Sequence, residues 1–200
     1  MKLSFHGGAK SVTGANYLLE FDNIKILVDC GLFQGSKYAE VLNYEKFPYS
    51  SSEINFVFVT HSHTDHTGRL PKLYKEGFRG KIFTTKPTIA LLKETLLNNQ
   101  SLIASEAFKD GHKPLFSVED VNNTISLMKG FDYESEIDLG SGIKAMLHDA
   151  GHILGSAIIE LEWSDHSKGG QTTKIYFSGD LGNPPTPLLN SPFFRKMVIT

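Results

Sequence analysis

The sequence predicts a layered α/β protein, and two observations carry that reading. Short apolar or alternating runs rich in Val, Ile, Leu and Phe open the chain, helical patterns fill its middle, and strand-like runs return near its end. No internal repeat, low-complexity tract or linker interrupts that order, so residues 1–200 read as a single domain. Two hundred residues suffice to bury a sizeable core.

The first strand signals are "KLSFHGG", "NYLLEF" and "IKILVDCG", separated by the turn formers Gly, Asn and Asp. A polar connection, "QGSKYAEVLNYEKFPYSSS", follows them. "EINFVFVT" reads as a buried strand, and "GRLPKLYKEGF" as a short helix ended by Gly77. "KIFTT" is strand-like. "PTIALLKETLLNNQSLIASEAF" is the longest helical pattern, with Pro87 placed early, where its missing N–H has no helical partner to lose. "SVEDVNNTISLM" predicts a further helix, with Ser117 at the N-cap and Asp120 three residues on. "EIDLGSGIKAMLHDAG", "SAIIELEWS" and "TKIYFSGDLG" return to strands. The closing "KMVIT" begins like a strand and stops without a turn or cap, which points to a fragment.

Composition narrows the function classes. A 40% hydrophobic content and a net charge of -2 describe ordinary globular chemistry and argue against a generally basic nucleic-acid surface. No run approaches the roughly 18 apolar residues of a membrane span, and the N-terminus lacks a secretory signal pattern. No membrane partner is therefore expected, and the cytoplasm is the expected location. Cys30 is the only cysteine, so no disulfide forms within the chain, in keeping with a reducing compartment.

The chemistry concentrates in "THSHTDHTG", residues 60–68. In extended chain, side chains 61, 63 and 65 share one side because the strand period is two. Asp65 and His66 would then point apart, and a turn over 65–68, with Gly68 supplying backbone freedom, would bring both to a common centre. Imidazoles and a carboxylate displayed where a buried strand ends suit a divalent zinc ion. A polar loop of solvated histidines is the plainer reading, and it suits one histidine better than three. Further along, His152 lies between Gly151 and Gly155, and Asp180 lies between Gly179 and Gly182 at the end of an apolar run. Asp29 in "ILVDCG" has the same strand-end placement. Each alone reads as a turn former. Together with the histidine loop they look like loops gathered along one edge of a sheet, where α/β sites form.

These motifs resemble a known family. "HSHTDHTG" matches the H-x-H-x-D-H signature of the metallo-β-lactamase superfamily. "FHGGAKSVTGANYLLE", "DCGLFQG", "HTDHTGRLPKLYKEGFRGKIFTT", "AGHILGSA" and "FSGDLG" are together similar to its RNA-processing branch, the β-CASP proteins, which include pre-mRNA 3′-end cleavage nucleases and archaeal and bacterial ribonucleases. The fold implied is the N-terminal part of an αββα sandwich. Family members continue into an acidic motif, an inserted β-CASP domain with a catalytic histidine, and a second lactamase half carrying a further histidine ligand, none of which is present in these 200 residues.

Carried over residue by residue, the resemblance implies two zinc ions, with another divalent metal as the alternative, one held by His61, His63 and His152, the other by Asp65 and His66, with Asp180 bridging. Asp29 would orient the loop through hydrogen bonds without touching metal. The reaction implied is hydrolysis of RNA phosphodiester bonds, with single-stranded RNA as partner and Asp65 able to accept a proton from the attacking water. Two such ions lower the pKa of a shared water from near 16 toward about 7. At about 1.36 kcal/mol per unit, that is on the order of 12 kcal/mol in favour of hydroxide.

Other candidates are weaker. His148 either lines the site or sits satisfied in the core, with the core placement expected. His6, His112 and His166 are expected to be structural or solvated. Lys72, Lys75, Arg79 and Lys81 can face phosphates, but a solvated helix face is the expectation, with Tyr74 and Phe78 in the core. No RNA-contacting residue stands out. Two alternatives stay open beside the ribonuclease: a hydrolase of thioesters, lactams or small phosphodiesters, and a non-catalytic metal-binding or interaction module. A half-fold should also expose apolar sheet surface, from which a homodimer is expected.

Overall fold

The structure is a computed structural model that describes residues 1–109, 111–165, 170–183, 185 and 187–193. His166 and the strand expected at 196–200 lie outside the described residues.

Two sheets form. In the first, β1 (Lys2–Phe5), β2 (Tyr17–Glu20), β3 (Lys25–Val28), β4 (Phe56–Phe58), β5 (Lys81–Thr85) and β6 (Met128–Phe131) lie in chain order. The β1–β2 and β2–β3 pairs are antiparallel, and the next three are parallel. The second is antiparallel, with β7 (Ile137–Gly140), β8 (Ile143–Asp149), β9 (Ala157–Asp165) and β10 (Gln171–Phe177) in the order β10-β9-β8-β7. The helices are α1 (Lys37–Val41), α2 (Thr64–Thr67), α3 (Leu70–Lys75), α4 (Lys86–Lys109) and α5 (Val118–Ser126).

Local signals place most of these elements. Pro87 is the second residue of α4, and Gly77, at φ +109°, follows the C-cap of α3. Ser117 and Asp120 cap α5 reciprocally, each side chain bonding the other's backbone N–H. Two expectations are corrected. The helix expected through Met128 ends at Ser126, because after the Leu127 C-cap Met128–Phe131 pair with β5 as the parallel edge strand β6. The polar connection after β3 contains α1, started by the Ser36 side chain accepting from the Ala39 N–H.

Register sorts the first sheet's side chains into two cores. Leu18, Leu27, Val57 and Ile82 stand side by side across β2, β3, β4 and β5, facing Leu70, Leu73, Leu92, Leu96 and Val121 of the helices. Tyr17, Val28, Phe58 and Phe83 form the next row and face the second sheet, meeting Leu147, Ile159 and Leu161. No described helix supplies a residue to that inter-sheet core. The described residues therefore make three layers, helices on sheet on sheet, consistent with the N-terminal part of an αββα sandwich. A slip of one residue in β4 would exchange Val57 for Phe58 and mismatch side-chain volume in both cores.

Close packing leaves room for nothing larger than glycine at Gly31. A Cβ there would lie 1.5 Å from the Asp65 carbonyl oxygen. Gly68 is also steric in role, which corrects the expectation of backbone freedom: its φ is −67°, and a Cβ would lie 2.5 Å from the Leu32 side chain.

His148 takes the second of its two expected places. It is 2% exposed, with Nδ1 2.8 Å from Glu134 Oε1, Nε2 2.8 Å from Glu160 Oε2, and the Phe193 ring stacked 4.1 Å away. Burial alone would raise the Glu160 carboxyl, but hydrogen bonds from Lys174, His148 and Tyr176 outweigh it and hold the pKa below its ordinary value.

Two outcomes test these contacts. Gly31→Ala should destabilise by at least about 4 kcal/mol in urea unfolding, in the exceptional range for one substitution. Gly35→Ala, at φ +101° with open space around it, should lose only about 1–2 kcal/mol to backbone strain; equal losses would refute the steric account. A depressed folded pKa stabilises above the ordinary carboxylate value and loses that stability as pH falls through the lower folded one. Unfolding midpoints should therefore fall on acidification below about pH 4.5, the ordinary glutamate value. That slope should be shallower in Glu160→Gln, and an unchanged slope would remove Glu160 from the account.

Candidate metal centre

Four strands end on the same side of the two-sheet stack, and each hands a polar residue to one place. β3 leads into Asp29, β4 into the 60–66 loop, β8 into His152 and β10 into Asp180. Carboxyl ends of strands are the common location of sites in such sheets. Backbone hydrogen bonds sew the loops together: Asp29 N–H to Phe58 O (2.8 Å), Cys30 N–H to His66 O (2.8 Å), Ala15 N–H to Asp65 O (2.9 Å) and Leu32 N–H to Thr64 O (3.0 Å). The two sheets are joined by Ala157 N–H to Thr60 O (2.7 Å), and the His152 and Asp180 loops by Gly182 N–H to Ala150 O (2.9 Å).

One turn of helix brings the histidine loop to a focus. His63 is the N-cap of α2, so Asp65 and His66 sit on its first turn rather than in extended chain. Donor atoms of His61, His63, His152 and Asp180 all lie within 4.8 Å of one another. Asp180 Oδ2 is 3.7 Å from His61 Nε2 and 3.6 Å from His152 Nε2, while its Oδ1 is 3.3 Å from His66 Nε2. His152 Nε2 is 3.4 Å from His63 Nδ1, and Asp65 Oδ2 is 3.9 Å from His66 Nε2. All six expected residues thus come together around Asp180, with Asp65 and His66 outside the tight four-donor group.

Charge in the cluster is unbalanced without a cation. Burial and the adjacent His66, His63 and His152 pull the His61 pKa down to about 2, so that ring is neutral. Burial and the same crowding lower His152 less, with Asp180 opposing. For His66, burial pulls downward, but the hydrogen bond and charge of Asp29, with Asp65 and Asp180 behind, push it up to about 9. His61 Nε2 is buried and has no hydrogen-bond partner. An orphaned buried polar atom costs about 1–3 kcal/mol, and a cation among these nitrogens and oxygens satisfies it. The donor set fits a divalent ion of the zinc type.

Asp29 lies beneath the cluster, fully buried and at φ +58°. Its Oδ1 accepts from Thr60 N–H at 2.8 Å, and its Oδ2 is 2.8 Å from Thr60 Oγ1 and 2.7 Å from His66 Nδ1. Thr60 is the participant that sequence reading passed over, because a threonine at a strand end is ordinary; its place directly between strand and histidine loop was the available signal.

Of the basic stretch, Lys75, Arg79 and Lys81 are exposed, as a solvated face requires, and Lys72 is buried. Lys72, 4% exposed, pairs with Glu76 at 2.8 Å, and Lys75 Nζ donates to Leu115 O at 2.9 Å. Arg79 donates to Tyr74 O and Phe78 O and lies over the Tyr74 ring. Phe78 is fully buried, as expected. His6 packs on Tyr49 and His112 on Tyr44, away from the donor group.

Comparison with known proteins agrees with this geometry. The metallo-β-lactamase superfamily domain profile matches residues 18–168. The chain is 33% identical over 192 residues to ribonuclease TTHA0252 of Thermus thermophilus, a match covering 96% of this chain and 40% of that protein. It is 35% identical over 166 residues to the transcription termination factor FttA of Methanococcus maripaludis, covering 82% and 26% respectively. The chain therefore spans less than half the length of these relatives. Among solved structures, the FEZ-1 metallo-β-lactamase of Legionella gormanii shares the fold, with a TM-score of 0.53 at 17% identity over 86% of this chain and 60% of that one. A metallo-β-lactamase domain implies divalent-metal binding, and the donor atoms of His61, His63, His152 and Asp180 lie close enough together to hold such an ion. By profile, relatives and architecture, the chain belongs to the metallo-β-lactamase superfamily.

Proposed function

We propose that this domain is the metal-binding lobe of a zinc-dependent ribonuclease of the β-CASP type, acting on single-stranded RNA in the cytoplasm. The observation that carries the reading is the convergence of His61, His63, His152 and Asp180 around an unpartnered imidazole nitrogen. His61, His63 and His152 would hold one zinc ion, Asp65 and His66 a second, and Asp180, with its two oxygens facing the two groups, both. Bound zinc supplies Lewis acidity and lowers the pKa of a coordinated water toward about 7.

Two of the chain's own groups take part, while the proton for the leaving group is assigned by the family resemblance to a histidine outside these 200 residues. Asp65, with a side chain 23% exposed at the rim, accepts a proton as general base. Asp29 holds the His66 ring by its Nδ1 and keeps Nε2 turned to Asp180. Support for RNA as the substrate comes from relatives named as a ribonuclease and as transcription termination factors. Self-association belongs to the same proposal: Phe5 and Val12, 58% and 96% exposed, line an open cavity of about 490 Å³ beside Asp180, apolar surface of the kind that marks interfaces.

Zinc titration against a competing chelator should give one tight equivalent and one weaker, because the second group has fewer donors. His61→Ala and His152→Ala should remove the tight equivalent, and unaltered binding in both would overturn the assignment. In the longer protein, Asp65→Asn should slow cleavage of labelled single-stranded RNA by about 10²–10⁴-fold. Turnover of nitrocefin or a thioester in place of RNA would move the assignment to another hydrolase. Light scattering at tens of micromolar, which detects micromolar association, should show a dimer, and a clean monomer would remove it.

A further inference from the structure

We propose that Thr60 is a positioning residue that sets which ring nitrogen His61 offers to a cation, by relaying the hydrogen-bonding demand of Asp29. The inference rests on the reading of His61 as a ligand and adds to it a residue with no donor atom in the cluster.

The assignment follows from counting protons. Thr60 is 1% exposed, and its hydroxyl oxygen lies 2.8 Å from Asp29 Oδ2, 3.1 Å from His61 Nδ1 and 3.3 Å from His66 Nδ1. An ionised carboxylate only accepts, and a hydroxyl has one proton to give. His66 Nδ1, 2.7 Å from the same Asp29 oxygen, donates to it directly. The Thr60 proton also goes to Asp29, which leaves the Thr60 oxygen with lone pairs alone for His61. His61 Nδ1 must therefore carry the ring proton, and Nε2 is bare. That bare atom is the buried nitrogen without a partner, 3.7 Å from Asp180 Oδ2. One carboxylate thus holds two rings by their Nδ1 side, His66 by direct contact and His61 through a hydroxyl.

Removing the hydroxyl reverses the preference. Without it, His61 Nδ1 loses the one hydrogen bond it makes among the described residues. The ring then gains by placing its proton on Nε2, where it points at the cation position and blocks ligation. The backbone of Thr60 holds its other contacts, N–H to Asp29 Oδ1 at 2.8 Å and C=O from Ala157 N–H at 2.7 Å, so they do not depend on the side chain. Valine keeps the β-branched shape and lacks only the hydroxyl, whereas serine keeps the hydroxyl.

The test reads the tautomer in the metal-free protein by nitrogen-15 NMR of the imidazoles, beside zinc competition titrations. Wild type and Thr60→Ser should hold the His61 proton on Nδ1; Thr60→Val should shift it toward Nε2 and weaken the tight zinc equivalent about 10- to 100-fold, the range for an outer partner of a ligand. Far-UV circular dichroism checks that each variant is folded. Wild type with its proton on Nε2 overturns the proposal whatever the variants do. So does a folded Thr60→Val with wild-type tautomer and zinc affinity, or an equal loss in Thr60→Ser, which would make Thr60 merely structural. A wild type that binds no zinc sinks the ribonuclease reading instead, and the tautomer measurement still decides the role of Thr60.

Discussion

The site depends on one buried carboxylate. Asp29 is fully buried, held in the left-handed backbone region at φ +58°, and takes two bonds from Thr60 and one from His66. A non-glycine residue there costs about 1–3 kcal/mol in strain, and a buried charge costs more unless it is hydrogen-bonded. Hydrogen bonds to charged groups return about 1.5–3 kcal/mol each. Three of them, all from the 60–66 loop, outweigh the strain only when that loop is in place. Asp29 is thus stable in this conformation because the metal loop has formed, and the metal loop is oriented because Asp29 is there.

The scaffold makes that mutual dependence affordable by supplying the loops from different layers. Asp29 and the histidine loop leave the first sheet, while His152 and Asp180 leave the second. Inter-sheet packing through Val28, Phe58, Leu147 and Ile159 sets the distance between them. The Thr60 carbonyl, bonded to Ala157 N–H, is the seam where the sheets meet next to the donors. The His152 loop gains a further anchor from Thr85 and Thr88, whose hydroxyls donate to the Gly155 carbonyl at 2.7 and 2.8 Å. Donor geometry here is therefore a property of sheet packing rather than of any one loop.

Much of this was legible in the residues because short-range rules governed it. The Ser117–Asp120 cap, Pro87 at a helix start and Gly77 at a helix end act within a few positions, and their elements formed there. β6 was not legible: Met128–Phe131 carries no strand signal of its own and is extended because β5 offers an open parallel edge. In the basic stretch Lys75, Arg79 and Lys81 are exposed as expected, and only Lys72 departs, because charge patterns do not reveal partners; it is buried against Phe47 and Glu76, which lie 25 and 4 residues away in the sequence. His148 needed Glu134 and Glu160, 14 and 12 residues away, to become a satisfied interior histidine.

By itself the sequence determined which residues stand as candidate ligands and which strands they follow, since ligand type and strand periodicity are written in neighbouring positions. Tertiary structure alone decided that His61 presents an unpartnered nitrogen, that Asp180 spans two groups of donors, and that Thr60 stands between Asp29 and the rings. These are relations among loops from two sheets, up to about 150 positions apart, and only the packing that closes those loops together sets which atoms face one another.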